Sequence, residues 1–565
     1  MKASVRSVEI SQRKRNLGTI GLEVVVLTLS ALILSAAFPG FISAKGLGFL
    51  ALLALIPVFA VIKNAPLGAC AGYGFFFGFV FYLFFNYWLA TFHALAIILV
   101  PFIKASEMVL LFLALKLCSR YLGRADYLGQ AVCWVAYAYL SQSWFAGYPY
   151  GTIAYALYNY RVLVQIADFS GIWLIIFLMV LPQALVGSWL RDAYNDRFTL
   201  SILPYLKARL VPVALWGAAV LFAVVYGIIR LSQWSAAEPD IIWRVAVVQH
   251  NADSWKGGYT TYKRNFNNLR KMTYEALLEN PDIVIWSETA FVPSVAWHTN
   301  YPSADDYYDT AGLVEEFVEF GKSLPVPLLT GNPEGVLKEG EDPYNEDGSW
   351  NRVDYNTVIF FEDGQIKQTY RKQHLVPFTE HFPYEKQLPW LYNLLLANDY
   401  NWWETGTESV VFESEQGVKF STPICFEDVF GDVNANFVKA GADLILNMTN
   451  DSWSGSVAAE MQHAAIATFR SIENRRTTVR STNSGISCMI TPTGEIMDMM
   501  TPFKMYWHIY DVPVYTSDEH TFYTEHGDIL AKVFTWMAWV VLALCVGLGV
   551  RQAFIRRRKK NDGED

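Results

Sequence analysis

The sequence FSTPICFED, residues 420–428, contains a short apolar run that ends at Cys425 and is followed, after one phenylalanine, by two acids. The run predicts a buried strand at residues 424–426, which would bring the cysteine to a strand end. A thiol is a nucleophile only as a thiolate, so it needs a nearby base or cation that lowers its pKa. Because most free cysteines in such runs are buried core residues without chemistry, the case for Cys425 depends on partners elsewhere in the chain.

Two charged residues are candidate partners for this cysteine. Glu288 follows the apolar run 283–286, and Lys372 lies in the segment YRKQHLVPF, residues 370–378. Glu288 would be the general base, Lys372 the cation for a developing oxyanion, and Cys425 the nucleophile. Taken singly, both charges would more often be solvated or paired surface residues, so only the set of three is informative.

A cysteine–histidine pair is the competing chemistry. It would recruit His374, His381 or His463, and spacing alone does not separate it from the Glu–Lys–Cys set. A hydrogen-bonding or structural role is the favoured interpretation of these histidines. The chain contains no HExxH, GxSxG, P-loop or GxGxxG motif, which excludes the commonest metalloprotease, serine hydrolase, nucleotide and dinucleotide sites.

Composition indicates a membrane protein with one large water-facing domain. The 565 residues are 53% apolar and 17% charged, with a mean hydropathy of +0.21. The charge is segregated: it is sparse before residue 231 and dense from 239 to 528. The formal net charge of −9 gives no support to a nucleic-acid-binding role.

The six cysteines predict neither a structural metal nor a disulfide framework. Four of them lie in apolar segments, and no CxxC or zinc-type Cys/His spacing is present. Cys425 and Cys488 are the two in the water-facing part, and a disulfide between them would abolish the nucleophile. We therefore expect no metal and no other cofactor.

Eight apolar segments are predicted to span the membrane. They cover residues 17–38, 46–61, 69–89, 95–117, 130–145, 163–185, 210–229 and 529–550. The second and fifth are short for the roughly 20 residues that a bilayer requires. Lys and Arg are concentrated in the loops on the side of the N-terminus and the C-terminal tail, which predicts that this side is cytoplasmic. The water-facing domain would then lie on the outer side of the membrane.

Strands and helices alternate in the water-facing part, which predicts a layered α/β fold with functional groups at strand ends. The predicted strands are 245–248, 283–286, 327–330, 358–361, 424–426, 444–446 and 486–490, and the predicted helices are 262–279, 311–323 and 458–473. The chain is therefore divided into a membrane domain at 1–231, an outer domain at 232–528, and a last span with a basic tail at 529–565.

Two aromatic segments allow two interpretations each. The loop GYPYG, residues 147–151, is not expected to form a continuous helix, and its tyrosines favour an interfacial aromatic belt over a role in a site. The stretch 390–403 is rich in Leu, Tyr and Trp. It is a candidate arm that faces the membrane, and a buried helix is the alternative.

The three candidate residues stand in the order and context of the carbon–nitrogen hydrolase (nitrilase) superfamily. With the flanking spans, the chain resembles the apolipoprotein N-acyltransferases, which complete the maturation of bacterial lipoproteins. The resemblance covers nearly the whole chain, because several further motifs match in order. They are GYPY (147–150), QIAD (165–168), NMTNDSW (447–453), QH (462–463), RSTNSGIS (480–487), PTG (492–494) and YTEHGD (523–528).

The resemblance implies a multi-span α-helical membrane bundle with an outward-facing α-β-β-α domain. It implies that Cys425 attacks the sn-1 ester of a phospholipid and holds the acyl chain as a thioester. Glu288 would take the thiol proton and later one from the incoming amine. Lys372 and the backbone N–H of Phe426 would stabilise the oxyanion. The acceptor would be the free α-amino group of the diacylglyceryl-cysteine at the N-terminus of an apolipoprotein.

The resemblance also implies supporting residues and a location. Glu380 resembles the second carboxylate that orients the lysine, and Glu427 resembles the acid that follows the nucleophile. Trp255, Asn450 and Trp453 are the implied substrate-binding candidates. The implied location is the bacterial inner (cytoplasmic) membrane, with the catalytic domain in the periplasm and the protein a monomer.

Three positions depart from the family pattern. Thr379 stands where glycine is usual, Phe426 where an aromatic hydroxyl is usual, and Ser454 where another aromatic is usual. None of them removes a catalytic group. They leave open the shape of these loops and the preferred lipid donor.

Two other functions fit parts of the pattern. A membrane-anchored amidase or nitrilase would use the same fold with water as the final acceptor, and the membrane tether favours transfer over this hydrolysis. A non-catalytic envelope scaffold that binds lipid is the other. The joint presence of Glu288, Lys372 and Cys425 argues against it, because such a scaffold has no need of all three.

Overall fold

The computed structural model describes residues 17–92, 95–144, 147–195, 201–301, 308–346, 348–382, 384–396 and 402–561. A helical bundle is formed by the first part of the chain together with the C-terminal helix. Its longer helices are Leu17–Ala36, Leu67–Phe85, Ala96–Tyr121, Asp126–Ser143, Trp173–Asn195, Leu210–Ala236 and Ile529–Asn561. Its shorter helices are Ile56–Asn64, Leu89–Phe92, Arg161–Val164, Ala167–Ser170 and Ile202–Lys207.

Within the described ranges, six helices are long and apolar enough to cross a membrane. Six of the eight predicted spans fall on them. The predicted span 46–61 falls on a 3₁₀ turn followed by the nine-residue helix Ile56–Asn64. The predicted span 130–145 falls on Asp126–Ser143, which is more polar and buries Gln130 in the bundle.

The predicted start of the span 163–185 is wrong. The chain turns at Gly171, where φ is 56°, and the long helix begins only at Trp173. A Cβ atom at Gly171 would lie 2.6 Å from the ring of Tyr523, so only glycine fits here. This turn brings the bundle against the α/β domain.

The α/β domain contains two six-stranded sheets. In chain order its strands are β1 Ile241–Gln249, β2 Ile283–Trp286, β3 Leu328–Leu337, β4 Arg352–Glu362, β5 Gln365–Arg371, β6 Phe412–Glu413, β7 Lys419–Ser421, β8 Leu444–Thr449, β9 Thr477–Thr482, β10 Cys488–Ile490, β11 Ile496–Met497 and β12 Tyr506–Val514. One sheet has the order β12-β1-β2-β3-β4-β5, and the other β11-β10-β9-β8-β7-β6. The central pairs β1–β2, β2–β3, β7–β8 and β8–β9 are parallel.

The two sheets pack face to face between layers of helix. Val245 and Val247 of β1 point into the core between the sheets, whereas Ala246 and Val248 point to the opposite face. This alternation follows from the two-residue period of a strand. The helices of the domain are Tyr259–Leu277, Val295–Asn300, Tyr308–Lys322, Pro389–Leu396, Gly431–Lys439, Val457–Asn474 and Phe522–His526. The layered α/β fold with an α-β-β-α order is confirmed.

The predicted strand at 424–426 is wrong. The strand ends earlier, at Ser421, and a 3₁₀ turn covers Cys425–Val429. The backbone N–H of Ile424 donates to a carboxylate oxygen of Glu427 at 2.7 Å. It therefore does not donate to the backbone of a neighbouring strand. The nucleophile candidate therefore lies on a tight turn just beyond a strand.

Buried polar contacts fix the domain on the bundle. Asp168, at the end of the bundle, accepts hydrogen bonds from Tyr226, Arg230 and Arg475. Gln462 of the domain accepts from the indole of Trp88 at 2.9 Å. Because Asp168 and Arg475 are both buried, this seam is a specific contact and not a flexible tether.

Candidate active site

The three sequence-predicted residues lie just beyond three strand ends. Glu288 follows β2 by two residues, Lys372 follows β5 directly, and Cys425 begins the turn after β7. The first two strands belong to one sheet and the third to the other, so the site lies where the two sheets meet. All three side chains are buried.

A buried ammonium group lies between two carboxylates. The Lys372 Nζ atom is 2.9 Å from Glu380 Oε1 and 3.3 Å from Glu288 Oε1. The amide of Asn356 donates to the same oxygens, at 2.8 Å to Glu288 and 3.3 Å to Glu380. The Lys372 side chain has no exposed surface, so these contacts replace its hydration.

The cluster keeps Lys372 charged and makes Glu288 basic. Burial opposes the charged form of the lysine, but the carboxylates of Glu380 and Glu288 outweigh it and raise the pKa of Lys372. Burial raises the pKa of Glu288, with Lys372 acting in the opposite direction. The second oxygen of Glu288 accepts the backbone N–H of Asn450 at 2.9 Å. A carboxylate whose pKa is raised in this way is a stronger base than an ordinary glutamate.

Cys425 is held on a strained turn. Its φ is 50°, in the left-handed region that non-glycine residues rarely adopt. Burial raises the pKa of the Cys425 thiol, the charge of Glu288 raises it further, and Lys372 opposes both. The resting thiol therefore stays protonated and needs a base at the moment of attack. Cys425 and Cys488 are both free thiols, so the disulfide considered above is not formed.

Glu427 ties the nucleophile turn to the lysine segment. Its carboxylate accepts the backbone N–H groups of Gln373 at 2.7 Å, His374 at 2.9 Å and Ile424 at 2.7 Å. It also accepts the phenol of Tyr370 at 2.8 Å. One buried side chain thus fixes the distance between the segment that carries Lys372 and the turn that begins at Cys425.

We expect Glu427→Gln to lower the free energy of unfolding by about 1–3 kcal/mol, because an amide NH₂ would face a backbone N–H that then lacks an acceptor. Thermal unfolding in detergent is the measurement. The exposed Glu415→Gln is the matched control, and equal unfolding temperatures for both variants would contradict this role of Glu427.

The loop of residues 147–151 forms a wall of the site. The ring of Tyr150 stacks on that of Phe426, with 6.5 Å between centroids and 6° between planes. Tyr148, which is half-buried, stacks on Tyr150 in turn, and Tyr150 is buried. The interpretation of this loop as an interfacial aromatic belt is therefore wrong, because the domain covers it.

A cavity of about 420 Å³ lies on the bundle side of Phe426. Aromatic residues of the bundle, including Trp144 and Trp173, form one wall. Arg470 and Glu473 of the domain, which pair at 2.9 Å, lie on the other. A space lined by both aromatic and charged side chains, next to the nucleophile turn, is suited to an amphiphilic molecule.

The three substrate-binding candidates occupy different settings. Trp255 is 62% exposed. The side-chain oxygen of Asn450 accepts from Ser254 at 3.0 Å and from Asn483 at 3.0 Å, so Asn450 orders the loops around Glu288. Trp453 packs on Trp88 of the bundle at 5.6 Å. Their binding of substrate stays a prediction.

The helix Pro389–Leu396 exposes Trp390, Leu394 and Leu396 and has no buried residue among those described. The alternative of a buried helix for 390–403 is therefore wrong, although residues 397–401 lie outside the described ranges. The arm that faces the membrane stays a prediction.

Sequence reasoning missed several buried groups around the site. They are Asn356, Tyr370 and Asp428. Tyr370 and Asp428 lie inside the two quoted segments, where their proximity to Lys372 and Cys425 was a usable indication. Asn356 lies mid-strand and had none. Among the described residues, no group of three or more His, Cys, Asp or Glu side chains is arranged to hold a metal ion.

Comparison with known proteins agrees with this architecture. The carbon–nitrogen hydrolase model matches residues 244–515, and the apolipoprotein N-acyltransferase N-terminal domain model matches residues 30–185. A solved amidase of the nitrilase superfamily from Nesterenkonia aligns over 52% of this chain and 97% of its own, with 16% identity and a TM-score of 0.35. By the two family models, the chain consists of a carbon–nitrogen hydrolase domain joined to a membrane bundle.

Relatives that align over nearly their whole length show which family within this class the chain belongs to. Apolipoprotein N-acyltransferase 1 of Treponema denticola is 35% identical over 95% of this chain and 98% of its own. The corresponding protein of Treponema pallidum is 33% identical over 95% and 97%. That of Borreliella burgdorferi is 27% identical over 90% and 93%. The chain belongs to the apolipoprotein N-acyltransferase family.

Proposed function

We propose that this protein transfers an acyl chain from a phospholipid, through a thioester on Cys425, to the free α-amino group of the diacylglyceryl-cysteine of an apolipoprotein. The observation that supports this most directly is the buried Glu288–Lys372–Glu380 cluster beside a buried cysteine on a strained turn. Charges of this kind cost free energy to bury, and a developing oxyanion gives them a use.

In the first half-reaction, Glu288 accepts the thiol proton as the sulfur of Cys425 attacks the sn-1 ester carbonyl. The ammonium of Lys372 and the backbone N–H of Phe426 stabilise the tetrahedral oxyanion. The oxyanion then collapses and expels the lysophospholipid alkoxide, which takes the proton from Glu288. The products are a thioester and a lysophospholipid.

In the second half-reaction, the amine of the acceptor attacks the thioester. Glu288 takes a proton from the attacking nitrogen, and the same oxyanion site serves again. Collapse expels the thiolate, which recovers a proton from Glu288, so the enzyme returns to its starting state. Donor and acceptor use one pocket in turn, which gives ping-pong kinetics.

The seam with the bundle supports transfer over hydrolysis. Tyr150 of a bundle loop covers Phe426, and the cavity behind it opens between bundle and domain. Both lipidic substrates would reach this region from the membrane, while water is kept from the thioester. We further propose that the domain faces the periplasm from the bacterial inner membrane and that the protein acts as a monomer.

Intact-mass analysis of purified protein after incubation with phospholipid tests the proposal. The wild type should gain the mass of one acyl chain, and hydroxylamine should remove it. Cys425→Ser should show no hydroxylamine-labile gain, and Cys488→Ser is the matched control that should behave like the wild type, since Cys488 is a core residue of β10. Adding a diacylated lipopeptide should then discharge the acyl chain onto its amine.

Two outcomes would contradict the proposal. No acyl gain from any phospholipid would exclude the first half-reaction, and small amides would then be tested as substrates of an amidase. Release of free fatty acid at the same rate with and without the lipopeptide would indicate hydrolysis with water as the acceptor.

A further inference from the structure

A buried histidine lies between two aspartates behind the nucleophile turn. The Nε2 atom of His463 is 2.6 Å from Asp428 Oδ1, and its Nδ1 atom is 3.1 Å from Asp451 Oδ1. Arg480 pairs with Asp428 and lies 3.6 Å from Asp451 Oδ2, so one guanidinium faces both acids. Carboxylate oxygens only accept hydrogen bonds, so both ring nitrogens are satisfied only when both donate, as in an imidazolium.

Besides the two aspartates and Arg480, the groups nearest to His463 are Glu460 on its own helix and Tyr150 of the bundle loop. Glu460, one turn earlier on the same helix, accepts from the hydroxyl of Ser454 at 2.6 Å. Burial raises the pKa of Glu460 well above its usual range, and the charge of Asp451 raises it further. The ring of Tyr150 lies 6.1 Å from the imidazole on the remaining side.

The same imidazole contacts both ends of the nucleophile turn. Asp428 is the fourth residue of the 3₁₀ turn Cys425–Val429. The backbone of Cys425, the first residue, is near enough to the imidazole to contribute to the raised pKa of His463. Since Cys425 holds a φ of 50°, the turn needs such outside contacts to keep its shape.

We infer that His463 is a positioning residue that acts as an imidazolium: it joins Asp428 to Asp451 and so holds the Cys425 thiol and the Phe426 N–H in the geometry required for acyl transfer. The inference rests on the proposed function and assigns His463 no contact with substrate.

The contacts of His463 with Asp428 and Asp451, which together form a histidine clamp, predict a specific pH dependence. Burial disfavours the charged ring, but Asp451 and the neighbouring acceptors outweigh it, so the pKa of His463 is raised. A raised pKa means that the imidazolium persists at neutral pH and is lost as the pH rises through the folded-state pKa. The rate of thioester formation should therefore fall on the alkaline side of its pH profile.

Variants of the full-length protein in phospholipid nanodiscs test this, with the acylation rate of Cys425 measured across the pH range. His463→Gln should lower the rate on the order of 10²-fold and abolish the alkaline fall, because the turn is misplaced at every pH. Asp451→Asn should move the alkaline fall to lower pH, since one stabilising carboxylate is gone. His508→Gln, on β12, is the matched control and should keep the wild-type profile.

A measurement on the wild type keeps the inference testable if a variant does not fold. Selective ¹⁵N-histidine NMR, assigned by difference from the variant that folds best, should show both His463 nitrogens protonated at neutral pH. The histidine clamp would be overturned by a neutral His463, or by an alkaline fall in rate that persists in His463→Gln. In either case, thioester formation by the wild type would still support the proposed function. Absence of any thioester in the wild type would instead overturn the proposed function, and the NMR result would remain.

Discussion

Glu288→Gln is expected to lower the rate of thioester formation by about 10²–10⁴-fold, the range that removal of a general base costs. Glutamine keeps the shape of the side chain, and its carbonyl oxygen can still accept from Asn450 or Asn356. It cannot take a proton from the Cys425 thiol. Because burial raises the pKa of that thiol and the substitution leaves the burial in place, little thiolate would form without the base.

The measurement is the single-turnover acylation rate, followed by intact mass. The matched control is Glu316→Gln, which removes an acid paired with Lys263 on the outer helices. In the wild type, the rate should rise with pH through the pKa of Glu288, which burial raises, so the acidic fall should begin above the usual range of a carboxylate. A wild-type rate in Glu288→Gln would mean that another group accepts the thiol proton.

Much of this site could be predicted because Glu288 and Cys425 lie next to apolar runs, whereas Lys372 stands in the segment YRKQHLVPF after the largely polar strand β5. Glu288, Lys372 and Cys425 each lie just beyond a strand end or begin the turn after one, and a strand end is where a sequence pattern gives a side chain a defined place. The α/β layers followed from the same pattern. The ordered motifs then supplied the family, which composition and spacing alone did not.

The errors have a common physical cause. Residues 424–426 look like a strand because Ile and Phe favour strands, yet a side chain, Glu427, takes the N–H that a ladder would use. The loop 147–151 has the composition of an aromatic belt, and only the docking of the domain makes Tyr150 part of the site. Asn356 lies within a strand and acts across the sheet. Each case depends on a contact between distant segments, which periodicity does not record.

The largest combined effect on stability and activity is expected for Lys372→Met. The substitution leaves Glu288 and Glu380 facing each other without a cation, and Glu288 is fully inside the protein. Breaking a buried ion pair in this way costs about 3–5 kcal/mol of unfolding free energy. Loss of the oxyanion cation should also lower the acylation rate by about 10²–10³-fold.

A double variant separates the two effects. In Lys372→Met with Glu380→Gln, one of the unbalanced carboxylates is neutral, so part of the lost stability should return. The acylation rate should stay low, because no cation faces the oxyanion. Lys439→Met, at the exposed end of a helix, is the control for loss of a lysine charge.

Comparing the single and the double variant is informative because stability and catalysis depend on different partners of the Lys372 ammonium group. Glu380 is the nearer carboxylate, at 2.9 Å, and its removal should relieve most of the repulsion in the variant. If the double variant regained the wild-type acylation rate, Lys372 would serve only to balance buried charge, and the backbone N–H of Phe426 would have to stabilise the oxyanion alone. If it regained stability without activity, the cation itself would be required by the reaction.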